Sequence, residues 1–291
     1  MKLAVSTYSL SRWRSENKKS LEDSLKWIKS AGVDAVEFAG LDVPDEQAVA
    51  RSAKLKKFCD KIGLIPVSYC VGAELLVPPA QQKKEIDRLK MHVDAACQLG
   101  VPSMRHDVTR GFGEHAKPLK IPSTFASALK HIVPAIRQVT DYAQSQGIKT
   151  SLENHGFYMQ AADRVEKLIQ RVNHPNFRLT IDLGNFLCVA DDPVAAVKRL
   201  APYVIMAHAK DFHVRAKKMM PASGWFATPT ELALRGAICG HGVIDVPMQL
   251  KLLNRAGYDG YLSLEFEGME EPTQAVRLGL EYLREKMKAL A

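Results

Sequence analysis

The sequence predicts a single α/β domain with the architecture of a (β/α)8 TIM barrel, covering residues 1–291. Two observations predict it. Eight short, nearly continuous apolar runs alternate with eight amphipathic stretches, and the chain of 291 residues is slightly longer than the roughly 250 typical of such a barrel. A doubly wound open sheet is the alternative. Its dinucleotide-binding form is disfavoured, because "STYSLSRW" rather than a GxGxxG loop follows the first strand.

The first half of the chain contains four predicted strand–helix units. The strands are expected at 2–10, 35–40, 65–71 and 102–108, and the helices that follow them at 21–32, 45–62, 79–99 and 122–146. Each of these predicted helices ends at a glycine, a residue that readily adopts the left-handed conformation of a helix C-terminus. The glycines are Gly32, Gly63, Gly100 and Gly147.

The second half continues the alternation with one interruption. Strands are expected at 149–154, 177–184, 203–212 and 260–268, and helices at 161–173, 192–200, 246–256 and 273–289. Residues 214–240 follow the seventh strand and read as irregular. Their segment "RAKKMMPASGWF" is either a substrate lid with Trp225 at its tip or part of an oligomer contact, and the sequence does not separate these two interpretations.

Composition excludes several classes of protein. The five cysteines are scattered and show no CxxC pair, which argues against a disulfide framework and a thiolate zinc site. The net charge is +8, but the lysines lie mostly on mixed-charge helices, so nucleic acid is an unlikely partner. No apolar run approaches the roughly 18 residues of a membrane span, and the N-terminus lacks a secretory signal pattern, so we expect a cytoplasmic protein without membrane contact.

Potential metal ligands follow four successive predicted strands. Glu153, Asp182, His208 and Glu265 each stand near a strand end, and the carboxyl ends of barrel strands form the active-site face. Three carboxylates and one imidazole suit a single divalent ion, Mn²⁺, Mg²⁺, Co²⁺ or Zn²⁺. In "LSLEFEG" the alternation of side chains does not distinguish Glu265 from Glu267, but position relative to the strand end favours Glu265.

The motifs "SLENHG", "TIDLGNF", "AHAKDF", "GHGVID" and "AGYDGYLSLEFEG" follow one another in a recognisable order. With them the chain resembles the xylose isomerase-like TIM barrel superfamily, the sugar phosphate isomerases/epimerases, over essentially its full length and most strongly from residue 145 onward. The resemblance implies that Glu153, Asp182, His208 and Glu265 are the metal ligands. It also aligns Lys210 and Asp211 with the family's KD pair.

The resemblance implies a divalent-metal-dependent isomerase or epimerase of a small sugar, keto-sugar or cyclitol. In the epimerase branch the two glutamate ligands also move the proton, so Glu153 and Glu265 would act as acid and base through a metal-stabilised enediolate. Lys210 would add a fixed positive charge near the substrate oxyanion. The alternative is a lyase of the inosose or 3-dehydroshikimate dehydratase type, in which His155 would take part in proton transfer.

The chain departs from the family pattern at two points. Asn185 stands where many relatives have a histidine, and the third strand ends in "SYCV" without one. Endonuclease IV uses histidines at such places to bind additional zinc ions. A DNA repair enzyme of that type is therefore the least favoured alternative.

Further substrate contacts are predicted on strand ends and the loops after them. The candidates are Trp13, Tyr69, Arg105, His106, Asn185, Trp225 and His241. Simpler interpretations stay open for some: Asn185 as a turn residue, His106 as a salt-bridged strand end, His155 as a loop contact, and Lys210 with Asp211 as an ion pair. We expect a small sugar or cyclitol as the partner, and a homo-oligomer because relatives are often dimers or tetramers.

Overall fold

The computed structural model describes residues 1–290. In chain order its strands are β1 (Lys2–Ser6), β2 (Ala35–Ala39), β3 (Ile65–Val71), β4 (Ser103–His106), β5 (Lys149–Glu153), β6 (Phe177–Asp182), β7 (Val204–Ala209), β8 (Asp211–Ala216), β9 (Phe226–Ala227), β10 (Leu232–Ala237) and β11 (Tyr261–Leu264). Its helices are α1 (Ser11–Asn17), α2 (Leu21–Ser30), α3 (Ala48–Ile62), α4 (Pro79–Leu99), α5 (Phe125–Ser145), α6 (Ala162–Val172), α7 (Pro193–Leu200), α8 (Val246–Arg255) and α9 (Pro272–Lys288).

Within these residues, eight parallel strands close into a barrel. Their order around the barrel is β1-β11-β7-β6-β5-β4-β3-β2, and the last strand, β2, pairs again with β1. Helices of the intervening segments cover the outside, so the strands are buried on both faces and read as continuous apolar runs. The predicted (β/α)8 barrel is confirmed, and the open doubly wound sheet is excluded by closure.

Local sequence signals account for where several helices begin and end. Ser20 and Asp23 form a reciprocal capping box at the start of α2. Asp192 accepts hydrogen bonds from two backbone N–H groups at the start of α7, and Pro193 follows it at the first helical position. Gly100 ends α4 with a φ of 75°, the left-handed conformation predicted for it.

The barrel interior contains a small apolar layer below the site. Ala4, Ala35, Val67 and Met206, one each from β1, β2, β3 and β7, form a buried cluster separate from the main core between strands and helices. Side chains that point into a TIM barrel fill it in layers. This layer closes the barrel beneath the polar side chains at its carboxyl end.

Two stretches differ from the sequence prediction. The first strand ends at Ser6 instead of continuing to residue 10, because the Ser6 side chain accepts the Tyr8 N–H and starts a 3-10 turn that leads into α1, a helix the apolar pattern did not indicate. Residues 214–240 are not irregular throughout. β8, β10 and β9 form an antiparallel sheet in that order, packed through Phe212, Leu234 and Cys188.

Several other predicted strands are also longer than the observed ones, most clearly the seventh and the eighth. The seventh splits after Ala209 into barrel strand β7 and strand β8, and the eighth ends at Leu264. Glu265 therefore lies just beyond its strand. β8 belongs to the antiparallel sheet β8-β10-β9, which lies outside the barrel and is called the excursion sheet below. None of the helices in residues 1–290 is long and apolar enough to cross a membrane.

Candidate metal centre and active site

Four side chains converge at the carboxyl end of the barrel. Glu153 ends β5, Asp182 ends β6, His208 lies near the end of β7, and Glu265 follows β11, so neighbouring strands of one sheet deliver all four. One ligand atom from each lies within 4.8 Å of the others. His208 Nδ1 is 3.5 Å from Glu153 Oε1, 3.8 Å from Glu265 Oε1 and 4.0 Å from Asp182 Oδ2.

The donor atoms fit a divalent cation. Among the described residues, His208 Nδ1 and Asp182 Oδ2 are buried and have no hydrogen-bond partner. The Lys210 ammonium lies 3.3 Å from that Asp182 oxygen but outside hydrogen-bond geometry. An unpartnered buried polar atom costs about 1–3 kcal/mol. A metal ion in contact with both atoms would remove that cost, and the mixed oxygen and nitrogen set suits Mn²⁺, Mg²⁺, Co²⁺ or Zn²⁺.

The Asp182 carboxylate is oriented by the turn that follows it. Its Oδ1 accepts the backbone N–H groups of Gly184 and Asn185, both at 2.8 Å, which leaves Oδ2 facing the other ligands. Asn154 joins β5 to β6 by donating to the Asp182 carbonyl at 2.9 Å and accepting its N–H at 2.8 Å. Asn185 also donates from its side chain to Glu153 Oε1 at 3.2 Å. Asn185, predicted to bind substrate, thus contacts Glu153, one of the four proposed metal ligands.

Arg105 pairs with the other oxygen of Glu153. Its Nη2 is 2.6 Å from Glu153 Oε2 and 3.1 Å from Asp107 Oδ1, and all three side chains are largely buried. Burial favours the neutral acid, but Arg105 and His208 outweigh it and hold the pKa of Glu153 well below its usual range. Glu153 is therefore ionised at neutral pH.

Lys210 is surrounded by carboxylates. Its Nζ lies 2.6 Å from Glu265 Oε2 and 3.6 Å from Glu267 Oε2, in addition to Asp182. Burial opposes the charge, yet these carboxylates raise the pKa of Lys210 well above its usual range. For Glu265, burial is outweighed by Lys210 and His208, so its pKa is lowered. For Asp182, burial dominates and raises the pKa to about 6, although Lys210 opposes the shift.

Lys210 and Asp211 do not pair with each other. The Asp211 carboxylate accepts four backbone N–H groups, those of Phe212, Gly240, Gly242 and Ile244, at 2.8–3.0 Å. A Cβ at Gly242 would lie 2.1 Å from Asp211 Oδ1, so this close approach requires glycine. Asp211 therefore anchors the loop at 240–244, whereas Lys210 faces the site.

A cavity of about 360 Å³ opens beside Lys210, within the size range of small-molecule sites. It is lined by Tyr8, His155, Gly156, Phe157, Gln160, Asn185, Cys188, Lys210, Gly224, Phe226, Gly236 and Glu267. The excursion sheet contributes part of the wall through Phe226 and Gly236. Segment 214–240 thus borders the site, a position that tests neither the lid interpretation nor the oligomer contact.

His155 reaches this cavity from the loop after β5. Its side chain is 48% exposed, and its Nδ1 lies 3.3 Å from Asp107 Oδ1. That hydrogen bond raises the pKa of His155, against the opposing effect of burial. Because Asp107 also pairs with Arg105, His155 is connected to Glu153 through two further side chains.

Six predicted substrate residues are not among the residues of 1–290 that line this cavity, and one of them is Arg105, which pairs with Glu153 instead. Tyr69 points to the helix layer, where its hydroxyl is 2.9 Å from His92 Nδ1. His106 is fully buried with Nδ1 2.8 Å from the Asp107 carbonyl oxygen, because it alternates with Arg105 along β4. Trp13 packs against the core from α1, Trp225 lies between Arg215 and Arg235, and His241 is exposed in its turn.

Several residues of the site were missed by the sequence analysis. Glu37 lies inside the barrel on β2, with Oε1 3.0 Å and Oε2 2.9 Å from His208 Nε2. The only signal was a charged residue within the apolar run "AVEFA". Tyr8 and Gln160 line the cavity, and Asp107 links Arg105 to His155. No motif marked these three positions.

A family model described as "Xylose isomerase-like TIM barrel" matches residues 25–286. The chain belongs to this family. A human relative of this xylose isomerase-like barrel, named "Putative hydroxypyruvate isomerase", is 22% identical over 264 residues, 88% of this chain and 85% of that protein. An inosose dehydratase of Clostridium beijerinckii is 23% identical over 171 residues, and the matched part spans about half, 54%, of each chain.

Solved structures show the same barrel. The IOLI protein with a bound zinc atom superposes with a TM-score of 0.77 at 17% identity, covering 100% of this chain and 99% of that one. L-ribulose 3-epimerase superposes with a TM-score of 0.73 at 16% identity, covering 100% and 96%. At such identities these structures establish the shared fold of the xylose isomerase-like barrel and do not select a reaction.

Proposed function

We propose that the protein is a metal-dependent isomerase or epimerase of a small keto-sugar or cyclitol. The observation that supports it most directly is the placement of Glu153 and Glu265. Both approach His208 Nδ1, at 3.5 and 3.8 Å, yet they belong to the strand regions of β5 and β11, which are separated around the barrel by β6 and β7. Two carboxylates would thus reach a substrate from different sides.

Glu153, Asp182, His208 and Glu265 would hold the ion. A divalent ion bound there would act as a Lewis acid and stabilise the negative charge that develops when a carbon next to a carbonyl loses its proton. Glu153, ionised because of Arg105, is the proposed base that takes this proton. Glu265 is the proposed partner that returns a proton, to the opposite face or to the neighbouring carbon.

Lys210 and Glu267 would bind the substrate's oxygens. Lys210 is the one lysine or arginine among the described residues that line the cavity, and three carboxylates already lie within 3.6 Å of its ammonium. Glu267 would repel an anionic group. This balance favours a substrate without phosphate, and the cavity volume of about 360 Å³ suits a monosaccharide or cyclitol.

A dehydratase is the second candidate, and one observation favours it. His155 lines the cavity, and its pKa is raised by Asp107, so a larger share of the imidazole is protonated near neutral pH. A protonated His155 could give its proton to a leaving hydroxyl group after Glu153 has taken the carbon-bound proton, releasing water. The relatives named as isomerase, epimerase and dehydratase are consistent with either outcome.

Exchange of substrate hydrogen for deuterium distinguishes the isomerase or epimerase from the dehydratase. The full chain, supplied with Mn²⁺, is incubated in deuterated water with unphosphorylated keto-sugars and with an inosose, and the products are followed by NMR. The proposal expects deuterium at the carbon next to the carbonyl of a keto-sugar and a rearranged or epimerised product. Loss of water from the inosose without exchange into any keto-sugar would replace it with the lyase. Assembly into a homo-oligomer stays a prediction.

A further inference from the structure

Glu37 is a buried carboxylate that the proposed reaction does not use. It lies on β2, points into the barrel and is 0% exposed. In the described part of the chain no lysine or arginine pairs with it; its close contacts are His208 Nε2, at 2.9 and 3.0 Å, and the Cys70 thiol, at 3.4 Å. A buried carboxylate is costly unless it is paired, which points to a structural reason for the contact between Glu37 and His208.

The pairing of β2 with β3 is irregular at this position, and the extra residue lies on β3. Val36 pairs with Pro66 and Glu37 with Ser68 of β3, so Val67 is an extra residue and the register shifts between Val36 and Glu37. Bulges of this kind redirect a side chain and occur often beside active sites. Here the extra residue, on β3, lies beside the residue paired with Glu37, whose side chain reaches across the barrel interior to β7.

The two nitrogens of His208 face different surroundings. Nε2 faces Glu37, whereas Nδ1 faces Glu153, Asp182 and Glu265 and has no hydrogen-bond partner among the described residues. A hydrogen on Nε2 can be donated to Glu37. With a cation bound among the three carboxylates, the neutral ring would present the lone pair of Nδ1 to that cation. The opposite tautomer would turn an N–H toward the cation and place the Nε2 lone pair against the Glu37 oxygens, with no cation between them.

We propose that Glu37 is a positioning residue for the metal centre: by accepting the Nε2–H of His208, it selects the tautomer and ring orientation in which Nδ1 binds the ion. This inference rests on the metal site of the proposed function. Partners of this kind orient a ligating histidine and make it more basic, and their loss typically weakens metal binding 10- to 100-fold.

The test measures metal binding directly. Metal-free full-length protein is titrated with Co²⁺ against a competing chelator, and the visible d–d absorption of the bound ion is recorded. Glu37→Gln should weaken Co²⁺ binding by about 10- to 100-fold and alter the spectrum, because an uncharged amide holds the Nε2–H less firmly. Glu37→Asp, which keeps the charge, should recover part of the affinity. Ser68→Ala is the matched control, since Ser68 is buried opposite Glu37 in the β2–β3 pairing and its hydroxyl has no hydrogen-bond partner among the described residues.

Three results would overturn the inference. The first is unchanged Co²⁺ affinity in a folded Glu37→Gln protein. The second is an equal loss in Ser68→Ala, which would indicate general disturbance of β2 and β3. The third is two ions per chain, because Glu37, Cys70 and His208 are themselves close enough to share one. Thermal unfolding of the metal-free proteins checks that each variant is folded.

A second measurement needs no variant at Glu37. In zinc-loaded wild-type protein with ¹⁵N-labelled histidine, the His208 signals, assigned by their loss in His208→Asn, should show hydrogen on Nε2. Hydrogen on Nδ1 would refute the inference. These outcomes are separate from the proposed function: wild type that binds one ion but exchanges no sugar would refute the isomerase and leave the role of Glu37 intact.

Discussion

The two halves of the barrel mouth contribute different chemistry to one site. On β5, β6, β7 and beyond β11, the side chains of Glu153, Asp182, His208 and Glu265 face one another. Glu37 on β2 contacts His208 Nε2, and Arg105 on β4 contacts Glu153 Oε2, so both lie at the atoms of these ligands that face away from the other ligands. One half therefore supplies the atoms that would bind an ion, and the other supplies the charges that orient them. Substitutions in the first half should abolish activity, and substitutions in the second half should alter activity without abolishing it.

Glu153→Gln gives the largest expected effect. The amide keeps the shape of the side chain but cannot take a proton, so exchange of the substrate hydrogen should fall by about 10²–10⁴-fold. The measurement is deuterium incorporation by NMR, with circular dichroism to confirm the fold. Glu231→Gln, at an exposed position of the excursion, is the control and should retain full activity. Exchange at the wild-type rate in Glu153→Gln would remove the proposed base.

Arg105→Met tests the supporting half and should change pH dependence. In the folded protein Arg105 lowers the pKa of Glu153 against the effect of burial, so losing it raises that pKa. A base with a higher pKa becomes protonated at higher pH, and the acid limb of kcat/KM should move up by roughly one pH unit or more. Arg110→Met, an exposed neighbour, should leave the limb in place. An unshifted limb in Arg105→Met would contradict the electrostatic role.

His155→Asn separates the two candidate reactions. Under the isomerase proposal, deuterium exchange should fall by less than about tenfold, because Glu153 and Glu265 retain their positions. Under the dehydratase alternative, water loss from a cyclitol should fall by about 10²-fold or more. NMR of both substrates with the same protein preparation gives the comparison. A loss of exchange as large as that in Glu153→Gln would place His155 among the essential proton carriers.

Asp211→Asn should act on stability. An asparagine side chain has one acceptor oxygen, so it cannot replace a carboxylate that accepts four backbone N–H groups. We expect the free energy of unfolding to fall by about 2 kcal/mol in urea titrations. The exposed Asp259→Asn is the control. A change no larger than that of the control would mean that the loop at 240–244 does not depend on this carboxylate.

His241→Asn gives the smallest expected effect. This imidazole is exposed and is not among the residues of 1–290 that line the cavity. Both kcat and KM should stay within about twofold of wild type, as is usual for surface substitutions. A tenfold rise in KM would restore His241 to the predicted substrate contacts and imply that the loop closes over the bound sugar.

The same division explains what could be predicted from the sequence. The ligand half was accessible because its strands end in polar residues, as "SLEN", "TIDLG" and "AHAKD" show, and parallel strand ends meet at one rim. The half that contains Glu37 and Arg105 was harder to predict. Glu37 lies within the apolar run "AVEFA", so no polar strand end marked it. Tyr69 and His106 lie outside the cavity because both side chains point to the helix layer, and the direction in which each points depends on the exact strand register.

The fold shows a related limit. Apolar periodicity located all eight barrel strands, yet it missed α1 and the small antiparallel sheet. β9 is two residues long, and the one buried residue among the seven of α1 is Arg14, so neither has enough apolar repeats for a period to be visible. Short elements of this kind depend on contacts with distant parts of the chain, which are absent from a local pattern.

The central claim is that Glu153, Asp182, His208 and Glu265 share one cation, and metal content tests it most directly. Wild-type protein and Asp182→Asn are each equilibrated with Mn²⁺, separated from free metal by gel filtration and measured by elemental analysis. We expect about one divalent ion per chain in wild type and almost none in Asp182→Asn, because the uncharged amide is a far weaker ligand than the carboxylate. Wild-type protein without bound metal, or equal metal content in both proteins, would contradict it.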